Sequence, residues 1–168
     1  MARRYLVGLL VGLFPLVAYA NPALVSEHAH ATFLLIFFVS LALSVSFICS
    51  IAEAVLLTMT PSYIDTLRDS NPKLATMLQE VKIDHLGKSI SAILTLNTVA
   101  HTLGSLGAGA QATVVFGSAW FGVFGAVMTL ATLIGTEIIP KTLGTTYWRH
   151  FAKPVAYYLK FILSLIHI

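Results

Sequence analysis

Glu137 closes an apolar stretch that begins at Ala119, and Pro140 follows it three residues later. An ionised group at the centre of a membrane helix costs about 2.5 to 3.5 kcal/mol on insertion scales, so an acid there calls for a partner or a pathway. Proline has no N–H to give the carbonyl of Thr136, and its ring opens the preceding turn. An acid beside unclaimed carbonyl oxygens is hard-cation chemistry. Ser46, Ser50 and Glu53 recur at helical spacing on one face, and Asn97, His101, Gly104 and Ala108 share another. With Thr132 and Thr136 ahead of Glu137, three segments offer hydroxyl, amide and carboxylate oxygens to one point. Magnesium, calcium and sodium take such donors, whereas zinc favours imidazole or thiolate. His101 is the one imidazole on these faces; His85 falls toward one end of its segment, and His28 and His30 precede the first apolar run.

Each of these residues also has a plain structural use. A membrane-helix serine such as Ser46 or Ser50 bonds back to the carbonyl four residues earlier. Asn97 can tie two helices together, and the glycines of its segment let backbones approach. Glu137 can pair with Lys141 one turn on.

The elements that must position these groups are apolar. The chain has 168 residues, 57% hydrophobic and 10% charged, with a mean hydropathy of +0.86. Average soluble domains carry about 25% charged residues, so the composition predicts an integral membrane protein of the all-α class. Residues 1–20 read as a signal peptide or short N-terminal apolar segment: Arg3 and Arg4, an apolar core from Tyr5 to Val17, then Ala18-Tyr19-Ala20, with cleavage expected after Ala20. Residues 21–31 form an extracytoplasmic segment. Residues 32–150 form a three-span domain with spans at Thr32–Met59, Ile83–Phe116 and Ala119–Ile139. Between the first two, Thr60-Pro61 and Ser70-Asn71-Pro72 predict a helical hairpin at the membrane surface. After Pro140 the chain is expected to turn through Gly144-Thr145-Thr146. Residues 151–168 give a juxtamembrane helix starting at Pro154, with downstream cytoplasmic domains expected to be absent from this sequence.

Lysine and arginine placement sets the orientation. Arg68, Lys73 and Lys82 lie between spans one and two with Lys88 just inside the start of span two, and Lys141, Arg149, Lys153 and Lys160 lie after span three. The positive-inside rule puts the amino end outside and the hairpin and carboxyl end in the cytoplasm, and the membrane expected is the cell inner (plasma) membrane. Scattered single cations without interleaved aromatics argue against nucleic acid as a partner. Cys49 stands alone in an apolar run and reads as a small hydrophobe. There is no His-Glu-x-x-His pair, and in Gly104-Ser105-Leu106-Gly107 the serine is out of register with a nucleophile elbow, so the chain is not read as an enzyme.

Three stretches carry a family resemblance: Ser50-Ile51-Ala52-Glu53-Ala54; Leu94 to Thr102 followed by Gly107 to Ala112; and Glu137-Ile138-Ile139-Pro140-Lys141. Together they resemble the transmembrane domain of the CorC/CNNM family, also called the DUF21 or hemolysin-C-like domain, over about residues 32 to 168. The resemblance implies a homodimer with three spans, a cytoplasmic hairpin and a juxtamembrane helix. It implies magnesium export, with sodium as the driving ion, and cytoplasmic nucleotide-binding modules in full-length members. It also implies that Ser50, Asn97 and Glu137 hold a dehydrated Mg²⁺ as bound substrate. Ser46, Glu53, His101, Thr136 and Pro140 are the further candidates along the cation path. Two features depart from the family pattern: Ile51-Ala52 replaces a Gly-Ser pair, and Ala100 replaces a second asparagine. The expected function is therefore divalent-cation export by alternating access. The alternative is a non-transporting membrane scaffold that regulates ion homeostasis through a partner, and a third reading is a sodium or proton carrier in which Glu137 and His101 titrate.

Overall fold

The computed structural model describes residues 22–166, with side chains described from 26 to 164. The expected signal segment lies outside the described residues. Every described element is helical. Helix α1, Pro22–Thr58, opens on a proline and runs 37 residues without a glycine. It therefore starts ahead of the expected first span. Thr60 is extended (φ −95°, ψ 145°), and Pro61 occupies the first turn of α2, Pro61–Ser70, where its missing N–H costs nothing. The side chain of Asn71 accepts from the Leu74 N–H at 3.2 Å and caps α3, Pro72–Gln79. These two helices are the expected hairpin.

A π-helical turn, Glu80–Asp84, leads into α4, Leu86–Phe116. The Ser89 hydroxyl donates to the Val81 carbonyl at 2.9 Å and satisfies an oxygen the turn leaves over. Gly117 ends α4 at φ 81°, a conformation that other residues adopt at a cost. Then come a short 3₁₀ turn, Ser118–Trp120, helix α5, Phe121–Leu130, a π-helical stretch, Ala131–Ile138, and α6, Ile139–Thr146.

The helical run does not break after Pro140, as the sequence suggested, but continues to Thr146. Proline falls in the first turn of α6, just where the wider π register has already surrendered the usual spacing. Helix α7, Trp148–Ile166, likewise starts before the expected Pro154. There Pro154 lies in the second turn, where it removes only the donor to the His150 carbonyl.

Helix α1 is central: α4 packs along it most extensively, and α6, α7 and the π stretch also rest on it. Small residues set the approach. A Cβ added at Gly104 would lie 2.5 Å from the Ala42 Cβ and 3.0 Å from the Phe38 carbonyl; one added at Gly144 would lie 2.8 Å from the Ala54 Cβ. Buried Ala100, Ala108 and Ala112 extend the α4 contact. The main apolar core sits at the hairpin end, where Leu56, Met59, Ile64, Leu78, Val81, Ala152 and Leu159 pack together. There the Lys82 ammonium donates to the Leu56 carbonyl at 2.7 Å and the Leu57 carbonyl at 3.3 Å, closing the last turn of α1.

Among the described residues, two helical runs are long and apolar enough to cross a membrane, Ser26–Thr58 and Ser118–Thr146. The intervening α4 has the length at 31 residues, but Asn97, His101, Gln111 and its serines, threonines and glycines dilute its hydropathy. Its outer face is nonetheless apolar, with Leu94, Val99, Leu103 and Leu106 exposed beside Phe33, Ile36, Val123, Val127 and Leu130 of its neighbours. Such a surface needs hydrocarbon rather than water around it. Gly104→Val should press Ala42 and the Phe38 carbonyl off α4 and lower folded stability by at least about 1 to 3 kcal/mol. Gly125→Ala, where an added Cβ meets nothing within 4 Å, should leave the thermal midpoint in detergent unchanged or slightly raised.

Candidate cation site

The antiparallel seating of α4 on α1 places the polar faces against each other. Ala42 meets Gly104, and one turn along the Ser46 hydroxyl lies 2.7 Å from His101 Nε2. Ser46 is fully buried and spends its hydroxyl on this partner across the helices rather than on the carbonyl four residues back. One further turn puts Ser50 opposite Asn97 in the same register. Ser50 is 2% exposed, and Asn97 Oδ1 is buried with no hydrogen-bond donor. An unpaired buried amide oxygen forfeits about 1 to 3 kcal/mol, so its persistence asks for an explanation.

The acids come together through a lysine. The Lys141 ammonium lies 3.2 Å from Glu137 and 3.4 Å from Glu53, joining α1 to the π stretch and α6. One cation faces two carboxylates, which leaves one negative charge uncompensated within the triad. Ser50 and Glu53 stand three residues apart on α1, so the Ser50 hydroxyl lies within one helical turn of the acid that Lys141 joins to Glu137. The spacing from Glu137 to Lys141 is legible in the sequence, whereas the reach of Lys141 to Glu53 is not. That contact depends on Gly144, whose missing side chain lets α6 close on Ala54.

Backbone irregularity is concentrated beside the acid. The Ile139 N–H donates to the Ile134 carbonyl, a five-residue step. Pro140 is buried and brings no donor, so the next carbonyl in line, Gly135 in the π register or Thr136 in the α register, loses its N–H. The sequence pointed to Thr136 alone; the wider register extends the choice to its neighbour. Thr136 is buried and its hydroxyl donates to the Thr132 carbonyl at 2.8 Å. Glu137 also lines one end of an open groove of about 460 Å³ between α4 and α5, with Ser105, Gly109, Phe124, Thr129 and Thr132. No three histidine, cysteine or carboxylate side chains converge among the described residues. A cation held here would draw on hydroxyl, amide and backbone oxygens beside the acids.

The sequence pattern of the cyclin M transmembrane N-terminal domain matches residues 34–167. The chain belongs to the CorC/CNNM family. A UPF0053 protein of Synechocystis sp. is 36% identical over 115 residues, covering 68% of this chain and 33% of the relative. The chain thus spans about a third of the length of that curated relative. No solved structure matches it. Membership establishes this CNNM domain as a membrane domain and agrees with its apolar outer surface.

The Lys141 bridge has a measurable signature. In double-mutant cycles on thermal unfolding, Lys141→Met should couple to Glu53→Gln and to Glu137→Gln by about 0.2 to 1 kcal/mol each, the range for solvent-accessible pairs. Zero coupling with Glu53 would show that the lysine does not join α1 to α6.

Proposed function

We propose that this CNNM domain moves a divalent cation, magnesium, across the membrane, with Ser50, Asn97 and Glu137 as its ligands during transit. The observation that carries this reading is the buried Asn97 oxygen without a donor, set by the helix register opposite buried Ser50, itself within a turn of Glu53. The surplus negative charge of the Glu53–Lys141–Glu137 triad supplies the attraction. Backbone oxygens beside Pro140 complete an all-oxygen set, which Mg²⁺ prefers in near-octahedral geometry at about 2.0 to 2.1 Å.

On this reading the cation draws the Glu137 carboxylate from the Lys141 ammonium, which stays paired with Glu53. The protein then opens its two sides in turn, with magnesium leaving the cell against sodium entry. The π stretch is the pliable element, because its widened turns can return to α geometry with a shift of one residue. Three spans, with α4 as the second, place the amino end outside and the hairpin and α7 on the cytoplasmic side of the inner membrane. A homodimer completes the unit.

A second reading is favoured by the same ion pairs: the acids are structural, Lys141 locks α6 to α1, and the domain anchors a regulatory assembly without transporting anything. Calorimetric titration of the purified protein with MgCl₂ at fixed pH and sodium separates the two. The transport reading expects saturable binding that Glu137→Ala abolishes. It expects Asn97→Leu to weaken binding at least about ten-fold, roughly 1.4 kcal/mol, with an unchanged or raised thermal midpoint because an unpaired polar atom is gone. Equal binding in wild type and both variants would leave the anchoring reading.

A further inference from the structure

A separate cleft of about 250 Å³ opens where the π turn Glu80–Asp84, the start of α4 and the last turns of α7 meet. Its walls carry Glu80, His85, Lys88, Lys160, Leu163 and Ser164, none of them a residue of the cation site. The charges do not cancel. Lys160 makes a loose pair with Glu80 at 3.7 Å, while the Lys88 ammonium and the His85 ring have no carboxylate partner among the described residues. Two lysines therefore face one acid, with an imidazole and a hydroxyl beside them.

The surroundings narrow the ligand. Cations from two separate helices, α4 and α7, converge on one cleft, an arrangement suited to a compact anion with several acceptor oxygens. The volume falls below the roughly 300 to 1,000 Å³ of sites that enclose drug-sized molecules, so a headgroup-sized ion fits and a bulky one does not. Leu163 and Val81 form an apolar wall, and Phe161 and Ile83, on the same two elements, are exposed at 66% and 42%. An apolar chain attached to the anion has somewhere to lie.

We propose that this cleft binds the phosphate of a ligand whose polar group is net anionic, with Lys88 and Lys160 as its charge partners and His85 and Ser164 as hydrogen-bond donors. The same chemistry arrives on an anionic phospholipid headgroup or on a free phosphate ester. Occupancy ties the end of α7 to the start of α4, bracing the hairpin side of the domain. Glu80 opposes it, since its carboxylate competes for Lys160.

Native mass spectrometry of the full chain in detergent tests the site, titrating phosphatidylglycerol and phosphatidylcholine in parallel. One phosphatidylglycerol should bind in preference to phosphatidylcholine. Lys88→Gln should weaken it about five-fold, the effect of one lysine at an anionic surface, while Glu80→Gln strengthens it. Lys73→Gln, an exposed lysine on α3 outside the cleft, should change nothing. Glycerol 3-phosphate added in excess distinguishes the sources: displacement of the lipid assigns the site to free esters, and its persistence assigns it to lipid, both upholding phosphate recognition. Because Lys88 is exposed, its variant should keep the wild-type circular dichroism. Equal losses in Lys88→Gln and Lys73→Gln, or equal binding of the two lipids, would overturn the proposal.

Discussion

The close approach of α1 to α4 and α6 governs everything else in this domain. Inside a bilayer no hydrophobic force draws helices together, because lipid tails are as apolar as leucine; contact and polar pairing must do it. Gly104 against Ala42 and Gly144 against Ala54 remove the side chains that would hold the axes apart. Only at that separation can Ser46 meet His101, and only then can Lys141 span to Glu53. The residues with no chemistry of their own thus decide where the reactive ones stand.

Charge is the second constraint. Two carboxylates and one ammonium sit on helices whose outer faces are apolar, and the triad is one positive charge short. The Asn97 oxygen adds an unmet acceptor, and the π stretch before Pro140 adds a backbone oxygen to which proline has no N–H to give. Each feature alone destabilises the fold. Ranged along α1, α4 and the π stretch, they describe a place where a cation would lower the energy of the whole, which is the physical content of the transport proposal.

Much of this was legible in the sequence. The spacings of Ser46, Ser50 and Glu53 and of Asn97, His101 and Gly104 gave the facing stripes directly, because helical periodicity is local information. The prolines and Asn71 marked the hairpin for the same reason, and the Glu137-to-Lys141 run carried the family. What stayed hidden depends on neighbours. The bridge from Lys141 to Glu53 needs Gly144 on Ala54; the continuation of the helix past Pro140 needs the π register ahead of it. The early start of α7 at Trp148 follows from packing of Trp148 and Tyr63, whose rings meet edge to face with centroids 4.9 Å apart. Pro154 looked like a start only because its later place in the helix leaves no mark in the sequence.

The most direct test is to locate the ion. Manganese takes the same oxygen coordination as magnesium and scatters anomalously, so crystals of the domain grown with Mn²⁺ would reveal its position. The account predicts a peak about 2 to 2.5 Å from Asn97 Oδ1 and from a Glu137 oxygen, with Lys141 retained on Glu53 alone. A peak elsewhere, with the Asn97 oxygen still unpaired and Lys141 still shared by both acids, would contradict it.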